Sequence, residues 1–188
     1  ILYDCGTPRI FEENKYQYVF RTASHATMDN VALARYLKMR NVKVERYNLI
    51  NQDYAWGQDS RKDFVLSMEQ LYKGAKVEAD LLPKFGAGQY GTEISALSTK
   101  PADILHSSLW GGDLQAFILQ ANARGVFQKQ QGVFSAADHV LPALGDKMPN
   151  GVILGARGAY GLMSPKSALN DWWFSLYEKA NNVYPVQA

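Results

Sequence analysis

Residues 75–95 read AKVEADLLPKFGAGQYGTEIS, and residues 86–91 within them spell GxGxxG. That pattern marks a dinucleotide site only where a strand runs straight into the first glycine and a helix opens at the third. Pyrophosphate then rests on free backbone N–H groups. Here Pro83 and Lys84 interrupt the approach, so a loop separates a strand over 75–82 from Gly86. Asp113 stands at roughly the spacing expected of a ribose-binding acid, yet it follows Gly111 and Gly112 instead of ending a strand. We read the stretch as strand, loop and helix, and we expect no bound cofactor. An NAD-dependent oxidoreductase is the alternative that the glycines keep open.

Working outward, the same strand-and-helix alternation recurs along the chain. Strands are expected over 18–21, 42–50, 75–82, 103–109, 132–135 and 151–155. Helices are expected over 29–39, 57–72, 92–97, 114–123, 138–144 and 169–180. Val31, Ala34 and Leu37 share one helical face with the stem of Lys38, and Phe64, Met68 and Leu71 recur at helical spacing. Gly74 and Gly125 suit helix ends. About five alternations with short connections point to an α/β fold, a doubly wound parallel sheet flanked by helices on both faces.

In such sheets ligands bind outside the carboxyl ends of the strands. Four of those ends carry the same mixture of aromatics, glycines and single polar groups. They are residues 51–57 with Tyr54 and Trp56, residues 110–113 with Trp110, residues 135–139 with Ser135 and Asp138, and residues 155–160 with Arg157. Apolar walls with a few placed polar groups make a small-molecule pocket. Asp53, Asp113 and Asp138 also suit helix N-caps, and the tryptophans also suit edge packing.

Composition excludes several classes. The 188 residues are 47% hydrophobic, enough for one good core or two small lobes, and 20 basic against 18 acidic side chains leave a net charge of +2. No basic stripe for nucleic acid is present, and no run of about eighteen apolar residues spans a membrane. The opening ILYDCGTPRIF has no initiator Met, charged region or apolar core of a signal peptide. We read the chain as part of something longer. The single cysteine, Cys5, can form neither an internal disulfide nor a zinc site and reads as a small buried thiol. His25, His106 and His139 lack metal-ligand spacing, and His106 reads as a core or edge residue. There is no GxSxG elbow and no GxxxxGK[ST] loop. Catalysis is not expected.

Residues 18–37 (YVFRTASHATMDNVALARYL), 50–64 (INQDYAWGQDSRKDF), 92–127 (TEISALSTKPADILHSSLWGGDLQAFILQANARGVF) and 169–188 (LNDWWFSLYEKANNVYPVQA) stand in an order that resembles one family. It is the periplasmic substrate-binding proteins of branched-chain-amino-acid-type ABC importers, with the type I periplasmic binding fold. The resemblance implies two lobes closing on a ligand like a clamp. By it, residues 1–17 are the end of the first lobe and a crossing segment. Residues 18–157 are the second ligand-binding lobe, and 158–188 are the hinge return with an aromatic-rich helix. It implies a periplasmic location, and as partners a small-molecule ligand, a membrane permease and the first lobe of the same chain. A ligand-sensing regulator domain of the same fold is a further alternative.

Amino-acid binders of that family carry an acid shortly after FRTA and another after the fourth strand of the lobe, and the two hold an ammonium group. Here those positions read Ser24-His25-Ala26-Thr27 and Val133-Phe134-Ser135-Ala136. An unpaired buried ammonium is costly, so the expected ligand is an aromatic or apolar acid or amide, with Asp138 in partial compensation. By the resemblance, Trp56 and Trp110 line the pocket, Tyr54, Ser135, Asp138 and His25 direct hydrogen bonds inward, and His25 or Arg157 meets a carboxylate.

Overall fold

The computed structural model describes residues 1–3, 6–157 and 165–185. Cys5 and residues 158–160 of the last expected loop lie outside them. The strands are β1 (Leu2–Tyr3), β2 (Phe20–Arg21), β3 (Arg46–Ile50), β4 (Lys76–Leu81), β5 (Ile104–Ser107), β6 (Gln131–Phe134) and β7 (Ile153–Leu154). The helices are α1 (Arg9–Glu12), α2 (Ala26–Met39), α3 (Ala55–Leu71), α4 (Gly91–Thr99), α5 (Gly111–Ala123), α6 (Leu141–Leu144) and α7 (Ala168–Asn181).

Five strands form one parallel sheet in the order β4-β3-β5-β6-β7. Its central strands are buried on both faces, so they read as unbroken apolar or neutral runs instead of alternating ones: Tyr47 to Ile50 and Ile104 to Ser107 are all buried. Side chains alternate between two cores. Tyr47, Leu49, Ile104 and Val133 pack with Leu37 of α2 and Phe64 and Met68 of α3. Ile50, Leu105 and Phe134 pack with Ile94 of α4 and Phe117 of α5. The sheet is thus doubly wound. The edge strand β4 keeps Lys76 and Asp80 exposed, which discourages pairing with other chains.

Two polar side chains are built into these layers. The β3–β4 register shifts between Tyr47 and Asn48. Asn48 fills the gap by accepting from Ala79 N at 2.9 Å and donating to Lys100 O and Gln130 Oε1. His106 is stacked on Phe64 with ring centroids 3.9 Å apart. Asn30 Nδ2 donates to Ala26 O, so Asn30 Oδ1 is the acceptor for His106 Nε2 at 2.7 Å. That assignment makes the imidazole the neutral Nε2–H tautomer. Burial lowers its pKa to about 3.

Several expected boundaries shift. The strand expected over 18–21 is only β2, which pairs in parallel with β1 outside the main sheet. Helices α3 and α5 begin at Ala55 and Gly111, earlier than expected, so Trp56 and Asp113 sit in first turns instead of loops. Residues 138–140 form a 3-10 turn, and α6 follows with Pro142 in its first turn, where the missing N–H costs nothing. Gly125 follows α5 in the left-handed conformation, as expected, whereas α3 ends at Leu71 with Tyr72 as its cap, and Gly74 lies beyond it with φ +90°.

Candidate functional site

The chain reverses direction across the sheet between β3 and β5, which are neighbours although β4 intervenes in sequence. After β3 the chain enters α3 on one face, and after β5 it enters α5 on the other. The two loops diverge from a switch point at the carboxyl ends of the strands, where ligands bind in such sheets. Asn51 holds the two loops together there, its Oδ1 accepting from Ser108 N at 3.0 Å and Ser108 Oγ at 2.7 Å.

One side of this rim is aromatic. Trp110 Nε1 donates to the Tyr54 hydroxyl at 2.7 Å. Phe85 packs edge-on against Tyr54 with centroids 5.5 Å apart and tilts against Trp110 at 5.9 Å. Phe85 and Trp110 are 59% and 44% exposed, so the three rings present a face to solvent. Beneath them lies Asp113, 8% exposed. Its Oδ2 accepts from Gln52 Nε2 at 2.6 Å and Gly86 N at 2.7 Å, and its Oδ1 from Gly88 N at 3.3 Å. Burial works to raise the pKa of this carboxyl, but the donors around it, Gly86 first and then the Tyr90 hydroxyl, Gln52 and Gly88, outweigh it and hold the pKa below the usual carboxylate value.

That bonding answers the question raised by residues 86–91. Helix α4 does open at the third glycine. However, β4 ends at Leu81, and the N–H groups of Gly86 and Gly88 already hold an internal carboxylate where a phosphate would have to sit.

The other side of the rim is packed. Trp56 is 7% exposed and its Nε1 donates to Ser108 O at 2.8 Å. Its ring lies under Gly6, where an added Cβ would come within 2.1 Å of Cε3, and under the Arg157 guanidinium at 4.9 Å. Arg157 in turn pairs with Asp29 at 3.1 Å, and Asp29 also accepts from Ser24 Oγ. The segment between β1 and β2 is pinned to α3 by Thr7 and Arg9, both of which donate to Asp59. A depression of about 720 Å³ beside α2 and β7 is bordered by Met28, Asp29, Ala136 and Arg157 and does not reach the three exposed rings.

Asp138 and His139 follow β6 between these regions. Asp138 is 3% exposed, and its Oδ2 has no hydrogen-bond partner among the described residues. Burial pushes its carboxyl pKa up. His139 Nε2 accepts from Gly111 N at 2.7 Å, which joins this loop to the start of α5, and burial lowers its pKa. His25 sits at the N-terminus of α2 with a buried Nδ1 that lacks a partner among the described residues. Ser135 is fully buried, its N bonded to Ser107 O at 2.9 Å and its Oγ only 3.4 Å from the same oxygen.

Of the sequence-predicted residues, Tyr54 and Trp110 meet directly, while Asp138 and His25 each keep an unpaired buried atom. Trp56 does not stand on an open wall with Trp110, because Gly6 and Arg157 cover it. Arg157 is engaged by Asp29 and Ser135 by the backbone, so neither presents an open polar group as expected. None of the three aspartates is an N-cap: those positions are Tyr54, Trp110 and Ala137. Phe85, Asn51 and Gln52 were missed. Phe85 adjoins the glycines of a turn, and only its contact with Tyr54 and Trp110 distinguishes it.

The periplasmic binding protein family matches residues 4–185. The chain belongs to that family. Its members are binding proteins and not enzymes. No curated protein sequence matches. Among solved structures, the fold is similar to an amino acid ABC transporter substrate-binding protein from Pseudomonas fluorescens Pf-5. The two are 15% identical with a TM-score of 0.82, covering 98% of this chain and 49% of that one. It is also similar to an ABC transporter solute binding protein from Rhodopseudomonas palustris BisB5, solved in complex with 3,4-dihydroxybenzoic acid. There the identity is 17% and the TM-score 0.77, covering 96% of this chain and 48% of that one. A leucine-, isoleucine-, valine-, threonine- and alanine-binding protein from Brucella ovis is 19% identical with a TM-score of 0.68, covering 90% and 42%. At these identities the likeness is one of fold. The chain spans about half the length of these periplasmic binding proteins. Among the described residues no helix is long and apolar enough to cross a membrane.

Proposed function

We propose that residues 18–157 form one ligand-binding lobe of a periplasmic solute-binding protein that serves a membrane permease of an ABC importer. Residues 1–17 are the crossing segment from a first lobe, and 158–188 are the return. No bond is made or broken. A ligand bridging two lobes stabilises the closed form through its higher affinity for that form, and the closed form docks on the permease.

The ligand is a small aromatic or apolar acid or amide. The observation that carries this reading is the exposed face of Tyr54, Phe85 and Trp110 at the switch point of the sheet. Asp138, with its unpartnered oxygen, accepts an N–H or O–H of the ligand, and His25 meets a carboxylate. Trp56, Ser135 and Arg157 hold the rim in shape from behind. The Rhodopseudomonas protein crystallised with a dihydroxybenzoate supports the aromatic class. The absence of acids at Ser24 to Thr27 and Val133 to Ala136 argues against an ammonium group.

The test is native mass spectrometry of the full-length protein purified without added ligand, followed by calorimetry with the recovered compound. An aromatic or apolar carboxylate or amide is expected. A bound α-amino acid would overturn the ligand class. A rise in thermal midpoint on adding NAD would favour the oxidoreductase instead.

A further inference from the structure

We propose that Asp113 is a positioning residue whose carboxylate locks three rim loops into one unit, and that this lock makes the lobe select an aromatic ring. The selectivity rests on the capture reading above. Each of the three loops that meet at the carboxylate carries one ring of the exposed face. Gln52 lies two residues before Tyr54 in the loop after β3, Gly86 directly follows Phe85 in the loop after β4, and Asp113 itself lies three residues beyond Trp110 after β5. The rings therefore stand on a common support of three hydrogen bonds.

The chemistry requires an anion in this place. Gly86 and Gly88 take φ of +75° and +64°, and both aim their N–H groups at the carboxylate, a nest that favours negative charge. Gln52 adds a third donor. A carboxylate accepts all three, whereas an amide has one accepting oxygen and would turn an N–H toward a donor. Phe85 is more than half exposed and belongs to neither core, so fixing its loop adds little to packing. What the lock does fix is ring geometry, since edge-to-face contacts hold only over centroid separations of about 4.5–7 Å.

The test uses the full-length protein and two probes of equal charge and similar size, benzoate and cyclohexanecarboxylate, in calorimetry. Amide exchange at Gly86 and Gly88 is followed by NMR without ligand. Wild type is expected to prefer benzoate by about fivefold or more. Asp113→Asn is expected to bring the ratio near one and to speed exchange of both amides at least about tenfold. Phe85→Leu is expected to lose the ratio while both amides stay protected. Unchanged exchange in Asp113→Asn overturns the lock, and a retained ratio in that variant overturns its role in selection. Should Asp113→Asn not fold, a retained ratio in Phe85→Leu overturns the selection by itself. Wild type that binds neither acid, or binds both without preference, overturns the selectivity; the capture reading falls separately, if native mass spectrometry and calorimetry find no bound small molecule.

Discussion

Trp56 and Trp110 follow adjacent strands of one sheet, each a few residues past a carboxyl end, and in the sequence they look alike. Their fates are opposite. Trp56 is sealed under Gly6 and Arg157 and donates to a backbone carbonyl. Trp110 stands half-exposed at the switch point and donates its N–H to a tyrosine hydroxyl. The difference comes from what crosses over each ring. The segment before β2 packs on α3, tied down by Thr7 and Arg9 on Asp59, while the loops that reach the start of α5 through Tyr54, Phe85 and His139 leave the Trp110 ring 44% exposed. One tryptophan belongs to the packed interior and the other to an exposed aromatic face.

Trp56→Ala gives the largest expected effect, a loss of about 3–5 kcal/mol in denaturant unfolding, from lost transfer energy and the cavity left behind. The comparison breaks if the loss is no greater than that of an exposed substitution. A second test extends the contrast to the histidines, one sealed and others at the rim. His106 is neutral in the fold because its pKa is lowered to about 3, against about 6.5 in an unfolded chain. Between those values the unfolded state binds more protons, so stability rises with pH and is lost as pH falls from about 6.5 toward 3. The slope is at most about 1.4 kcal/mol per pH unit, or roughly 2–3 kcal/mol by pH 4.5. Unfolding midpoints measured across that window should show it, and His106→Gln should flatten the dependence by about one proton. The smallest effect on stability is expected of Trp110→Ala, under about 1 kcal/mol as for most exposed positions. Its affinity for an aromatic acid should nevertheless fall about tenfold or more, since such rings carry much of the contact energy. A stability loss comparable to that of Trp56→Ala would erase the distinction.

Much of the fold was legible from short runs. The strands around Leu49, Leu105 and Val133 are unbroken because helices cover both faces, and that pattern does not depend on the rest of the chain. Helix starts were less legible. Tyr54, Tyr90 and Trp110 occupy the N-cap positions of α3, α4 and α5, and none makes a side-chain cap. Those starts are set where the helix meets the sheet, so Asp53, Asp113 and Asp138 all lie off the cap positions they suit by sequence. Asp113 shows the limit most clearly. In sequence it is an acid after two glycines. In space it reaches across to the N–H groups of a loop twenty-five residues earlier.

Local composition alone determined the layer order of strand and helix, the glycine turns and the aromatic character of the rim, because each depends on residues within a few positions of one another. Tertiary structure decided which aromatic is open, which acid is bonded and which arginine is engaged. Those outcomes depend on chain segments that meet across the rim, and a hydrogen bond such as that between Asp113 and Gly86 exists only once β4 and α5 are in place.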